Sequence, residues 1–235
     1  MDGFPSSPLF SFSGGRGSRE GGSSKGAGAL FKEFLKHIFP RVVRQGNLKI
    51  TYTFCLGGLA LTAFLLLSAS GLLLLFYYQP SPERAFQSIL YLEESIWGGR
   101  YLRSLHRLSS HFFLVLIFLH TLRVILTGAY RKPREFNWVI GFSLLGIAIF
   151  DAYTGYLLPM DQLSLWATQT GMELVGTTFP GPQVRGILVP DGVGEPMSLL
   201  RFYILHIVLL PLSILCLSGI HFYRIRKDRG LLPYL

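Results

Sequence analysis

The sequence predicts an all-α membrane protein built as a four-transmembrane-helix bundle. Three observations predict it: a strongly apolar composition, four apolar runs of spanning length, and histidines repeated at matched intervals within two of those runs. Half of the 235 residues are hydrophobic and only 15% are charged, and the mean hydropathy is +0.41. A bilayer's hydrocarbon core is about 30 Å thick, which takes roughly 20 apolar residues to cross as a helix. Four runs reach that length, at 51–78 (A), 104–127 (B), 137–158 (C) and 199–223 (D). Lipid offers no hydrogen bonds to open backbone, so each run must satisfy its own as a helix.

Residues 1–30 hold eight Gly and seven Ser and no apolar run. Segment 1–29 therefore reads as a disordered tail, a plain bacterial extension without a secretory signal. The pairs Leu30-Phe31, Phe34-Leu35 and Ile38-Phe39 then recur at helical spacing among charged residues. Segment 30–45 is expected to lie as an amphipathic helix on the n-side membrane surface (the cytoplasmic face or its equivalent; the p side is opposite), broken at Pro40. The membrane domain is 46–230, followed by a short tail, 231–235.

Run A opens around Cys55-Leu56-Gly57-Gly58 and carries Gly57 and Gly71, fourteen residues apart. Run B carries His106 and His120, also fourteen apart. Fourteen residues of helix climb about 21 Å and, at about 100° per residue, return to within about 40° of one face. His111 lies about 140° round from His106 and is read as structural. Run C repeats the glycine interval with Gly141 and Gly155. Run D carries His206 and His221, fifteen apart, which by the same step fall within about 60° of one face.

Ionisable residues in lipid are rare and point to function, and two pairs at near-equal spacing multiply that signal. Four histidines on two helices, matched in depth, fit two b-type haems stacked across the membrane. Runs B and D both run from the p side to the n side, so His106 pairs with His206 and His120 with His221. Runs A and C, notched by glycine at two depths, would let each flat macrocycle pass bare backbone. Arg103 and Arg107 flank His106, Arg123 follows His120 by three and Arg201 precedes His206 by five. Their forked guanidinium groups suit haem propionates. The two cysteines form no C-x-x-C-H motif. Cys216, inside run D, reads as a buried small apolar residue, and Cys55 taken alone would read the same way.

The formal net charge of +9 does not mark a nucleic-acid patch, because its distribution follows the membrane. Fifteen Lys/Arg fall on the N-terminal segment, the B–C connection and the C-terminal tail. The other two connections hold Arg84, Arg100, Arg103, Arg185 and Arg201 against eight acids, Asp151 counted among them. The positive-inside rule then puts both termini on the n side. The C–D connection, 159–198, is long for a bundle and is expected to roof the p-side haem with an amphipathic segment ending near Glu173.

Taken together, these residues resemble cytochrome b6, the shorter, split form of cytochrome b, from about Asn47 to Gly230. The resemblance rests on Arg103-Ser104-Leu105-His106-Arg107, His120 with Arg123, and Thr127-Gly128 through Lys132-Pro133-Arg134-Glu135. It continues through Thr154-Gly155-Tyr156, Leu158-Pro159, Asp161-Gln162, Arg201-Phe202-Tyr203 and Ile225-Arg226-Lys227. The fifteen-residue step in run D is also typical of b6-type chains. The resemblance implies a covalent c-type haem on Cys55 at the n side, with Arg226 near it and near an n-side quinone pocket. It implies quinol oxidation at the p side, with electrons passing across the membrane in a b6f/bc-type oxidoreductase coupled to proton translocation. Implied partners are a subunit IV-like C-terminal half of cytochrome b, a Rieske iron–sulfur protein, a c-type cytochrome or equivalent acceptor, and membrane lipid, in a dimeric complex. The implied location is a bacterial inner or thylakoid-type membrane. Two rival readings stand beside it: a four-helix dihaem membrane anchor of a dehydrogenase or hydrogenase, which shares the architecture, and a haem-free transporter or scaffold subunit whose histidines relay protons. The anchor type lacks the Cys-Leu-Gly-Gly stretch, the paired notches and the proline-rich C–D connection.

Overall fold

The computed structural model describes residues 54–227 and, apart from them, Gly28. The expected surface segment 30–45, the tail 231–235 and all of the tail 1–29 except Gly28 lie outside the described residues. The described residues form helices α1 (Leu56–Leu74), α2 (Ala85–Ser95), α3 (Gly99–Leu126), α4 (Glu135–Leu157), α5 (Gln162–Gly176), α6 (Gly181–Leu188) and α7 (Pro196–Lys227), with no strand among them. Four of these, α1, α3, α4 and α7, are long and apolar enough to cross a membrane. The outward faces carry large apolar side chains such as Leu72, Leu73, Phe142 and Leu212, as lipid contact requires.

Two antiparallel pairs make the bundle: α1 lies along α3, and α4 lies along α7. Helices α3 and α7, which bear the histidines, each lean on a glycine-notched partner and make no extensive contact with each other. Between the two histidine levels sits a buried apolar layer of Ala60, Phe64, Phe113, Ala148 and Ile214. The rings of Phe64 and Phe113 meet at 5.7 Å. Phe113 stands seven residues from each histidine of α3, and Phe64 and Ala148 stand seven from each glycine of α1 and α4. A seven-residue step is nearly two helical turns, so the same face returns at mid-depth. Lipid is as apolar as these side chains, so the layer is held by van der Waals packing rather than by transfer out of water.

The end of the bundle that holds His106 and His206 is closed by short helices. Gly98 takes a φ of 75° and caps α3, and Gly99 lies against the Leu92 carbonyl, where a Cβ would collide. Helix α3 therefore starts at Gly99, ahead of the predicted 104, and an ion pair between Arg103 and Glu93 ties it to α2. Helix α5 begins where the Asp161 side chain accepts from the Ser164 N–H at 2.8 Å, a helix cap. It buries Ser164, Thr168 and Met172, four residues apart on one stripe, and Met172 packs with Leu157 and Phe202. Tyr153 Oη donates to the Thr168 carbonyl at 3.0 Å and Tyr78 Oη to the Leu158 carbonyl at 2.7 Å. Asp191 caps α7, accepting from the Met197 N–H at 2.8 Å, the Ser198 N–H at 3.1 Å and the Ser198 hydroxyl. The Ser198 hydroxyl first, and these N–H groups after it, hold the Asp191 carboxyl below the ordinary carboxylate range.

Two expectations are corrected here. Asp151 belongs to α4, inside the bundle, and not to the polar C–D connection. Cys216 is exposed rather than buried. Its position on α7 faces outward, and a small apolar thiol suits a lipid surface as well as a core.

Candidate haem-binding site

The fold brings the four histidines together in the expected pairs. His106 faces His206 with ring centroids 6.2 Å apart, and His120 faces His221 at 6.5 Å. An iron held by two imidazole nitrogens at about 2 Å each, with each ring centroid roughly 1.2 Å behind its nitrogen, would set centroids about 6.4 Å apart. The chain thus holds both pairs at the separation that one iron between them needs. The ring planes cross at 85° and 82°.

The four glycines explain how the rings fit. A Cβ on Gly57 would lie 3.3 Å from His120 Cε1, one on Gly71 3.2 Å from His106 Cε1, and one on Gly141 3.1 Å from His221 Cε1. At Gly155 it would stand 2.9 Å from both ring nitrogens of His206 and closer still to Cε1. Each notch therefore seats the edge of an imidazole. The fourth residue before Gly71, Gly141 and Gly155 turns its backbone toward the ring seated on that glycine. The Asp151 carbonyl accepts from His206 Nδ1 at 3.0 Å, and the Leu67 carbonyl stands by His106. His221 Nδ1 faces the Asn137 backbone without closing a full hydrogen bond. Ser70 donates to the Leu66 carbonyl and lies 2.9 Å from His106 Nδ1, so it accepts from that ring. Engaging Nδ1 as donor selects the tautomer whose Nε2 lone pair is free to bind metal.

A π turn at Leu205–Leu209 contains His206. It takes up one extra residue, so the fifteen-residue step of α7 covers the same face as the fourteen-residue step of α3. Without it, His206 and His221 would drift apart around the helix.

The arginines divide. Arg123 lines a cavity with His120, Arg134, Asn137, Trp138 and His221. Arg103 is engaged by Glu93, and Arg201 by the Ile187 carbonyl and the Met197 sulfur. Arg107 and Arg226 are exposed. Cys55, exposed at the start of α1, lies two residues before the Gly57 notch and so at the level of the His120/His221 pair. Neither cysteine is in a disulfide. Sequence reasoning missed Ser70 and Asp151 as neighbours of the ligands. Asp151 carried a usable signal, an acid within an apolar run and four residues ahead of a notch glycine.

Residues 111–234 match the family described as Cytochrome b(N-terminal)/b6/petB. The chain belongs to the cytochrome b6 family. It is 41% identical over 204 residues to cytochrome b6 of Heliobacterium modesticaldum, covering 86% of this chain and 92% of that protein. It is 35% identical over 202 residues to the menaquinol:cytochrome c reductase cytochrome b subunit of Bacillus subtilis, covering 85% and 90% respectively. Among solved structures it resembles a chain of a hyperthermophilic respiratory Complex III, with a TM-score of 0.73 and 31% identity. That likeness covers 79% of this chain and 50% of the longer one, so this chain spans half of that structure's length. Membership in a cytochrome b family implies b-type haem, and the separation of the histidine rings fits it.

Proposed function

We propose that this chain is the dihaem cytochrome b subunit of a b6f/bc-type quinol oxidoreductase. Its family and its four spanning helices make it an integral membrane cytochrome b of the bc/b6f type. The observation that carries the finer reading is the pair of facing histidine couples, 6.2 and 6.5 Å across, at two depths. His106 and His206 would hold one haem near the p side, and His120 and His221 one near the n side. Bound there, two haem irons supply one-electron carriers that link quinol oxidation at the p side to the n side, with proton translocation coupled to it.

The chain's own residues do three things for that chemistry. Ser70 and the carbonyl of Asp151 fix the tautomers of the p-side ligands. The glycines give each ring a seat without a Cβ. The Phe64/Phe113 layer keeps the space between the two levels dry. Cys55 is proposed to carry a covalent c-type haem on the n side, supported by its level beside His120/His221. Arg123 is proposed to meet charge on the n-side ligands, and Arg103, Arg107, Arg201 and Arg226 to do so at the rims. Quinone sites, a C-terminal-half subunit, a Rieske protein, a c-type cytochrome or equivalent acceptor, a dimeric complex and n-side termini complete the proposal.

A pyridine haemochrome on the purified chain, before and after acid–acetone extraction, tests it. Two extractable haems and one retained haem per chain are expected. No haem at all would refute it and favour a haem-free transporter.

A further inference from the structure

Helix α4 repeats itself across the membrane with one difference of charge. Four residues before Gly141 stands Asn137, and four residues before Gly155 stands Asp151. Each presents its backbone to the histidine seated on that glycine. At the n-side level the accompanying side chain is a neutral amide, buried at 7% exposure. At the p-side level it is an acid, whose Oδ1 stands 3.1 Å from His206 Nδ1.

That oxygen is buried and has no aligned hydrogen-bond donor. Its own backbone carbonyl already accepts from the Thr154 hydroxyl at 2.8 Å as well as from His206 Nδ1 at 3.0 Å. The carboxyl oxygen therefore lies beside the imidazole N–H without bonding it, close enough to act on the ring through its charge. Asp151 also lies within electrostatic reach of His106. An acid held this deep in an apolar helix is costly unless its charge is used.

We propose that Asp151 is a positioning and tuning residue for the p-side haem, its carboxylate biasing that haem toward the oxidised state relative to the n-side haem. A negative charge one imidazole away stabilises the more positive oxidised centre and makes the ligand more basic. Asn137 supplies no such charge at the other level. The p-side carrier is thereby made the weaker electron acceptor of the two, which favours electron flow from p to n. The inference rests on the haem reading of the four histidines.

The test is a redox titration of the b-haem absorbance in the intact complex in its native membrane, for the parent chain, Asp151→Asn and Asn137→Asp. Asp151→Asn is expected to raise the reduced-to-oxidised ratio of one b haem at least ten-fold at fixed potential, which is 59 mV for one electron. The other b haem and the haem content should not change. Asn137→Asp should shift the other haem in the opposite sense, and Asp151→Glu should restore the parent values. Both haems within two-fold of the parent in Asp151→Asn would overturn the proposal. Loss of the p-side haem from that variant would also overturn it, by making Asp151 a structural residue. Failure of the haem reading itself is distinguishable, since the parent complex would then show no b-haem band attributable to this chain.

Discussion

Replacing Gly155 with alanine should damage this protein more than the same change at any of the other three notches. The new Cβ would lie 2.9 Å from both ring nitrogens of His206 and closer to Cε1, inside the distance that real Cβ contacts keep. Gly155 sits within α4, whose backbone is fixed by its own ladder, so the imidazole must move. Moving it breaks the Nδ1 bond to the Asp151 carbonyl, a loss of about 0.5–1.5 kcal/mol. Overpacking adds roughly 1–3 kcal/mol. Alanine returns about 1 kcal/mol of helix propensity over glycine, so a net cost of about 0.5–3.5 kcal/mol remains. At Gly57, Gly71 and Gly141 the Cβ would stand 3.3, 3.2 and 3.1 Å from the nearest ring atom. A shift of a few tenths of an ångström accommodates it there, and the propensity gain roughly offsets the strain. Haem content and thermal unfolding midpoint, measured on all four alanine variants in detergent, rank them. Gly155→Ala should lose the haem expected at His106/His206 and unfold earliest. Equal haem content and midpoints across the four would refute the argument that these glycines are seats for the rings.

Three further outcomes are expected. Cys55→Ala should abolish the haem that survives acid–acetone extraction and leave both extractable haems in place; an undiminished retained haem would remove Cys55 from the site. Deleting Val208, an exposed residue of the π turn, should let the turn close as ordinary α-helix and return the histidine step to fourteen. Both b-haem bands should then persist in the spectrum, whereas one inserted residue should rotate His221 away by about 100° and lose a band. If the deletion itself abolishes haem binding, the turn does more than adjust register. The Asp191 carboxyl is held low in the folded chain, so its contribution is fully present above the unfolded carboxylate value near about 3.9. It is lost as the pH falls from there through the lower folded value. Unfolding midpoints against pH should show this acid dependence weakened in Asp191→Ala, and an unchanged profile would count against the cap.

The sequence by itself determined the class, the four spans and the candidate ligands. Those features depend on local properties: hydropathy summed along a run, and the rotation of an α-helix per residue. His106 with His120, and Gly57 with Gly71, could be placed on common faces because fourteen residues nearly complete four turns. The same arithmetic left His206 and His221 short of alignment, because the α-helical step holds only while the hydrogen-bond ladder is regular. The π turn that corrects it is visible only in the folded backbone. The glycines were legible as notches, but not that an imidazole edge sits in each one, since that depends on how deep two helices pack. Asp151 was assigned to a polar connection on the strength of its charge. It lies inside α4 beside His206, within the run already read as a span, and the histidine gives the acid a partner that sequence neighbours could not reveal. Pairing across helices is a property of tertiary geometry, and that is where the two histidine couples and their unequal surroundings are decided.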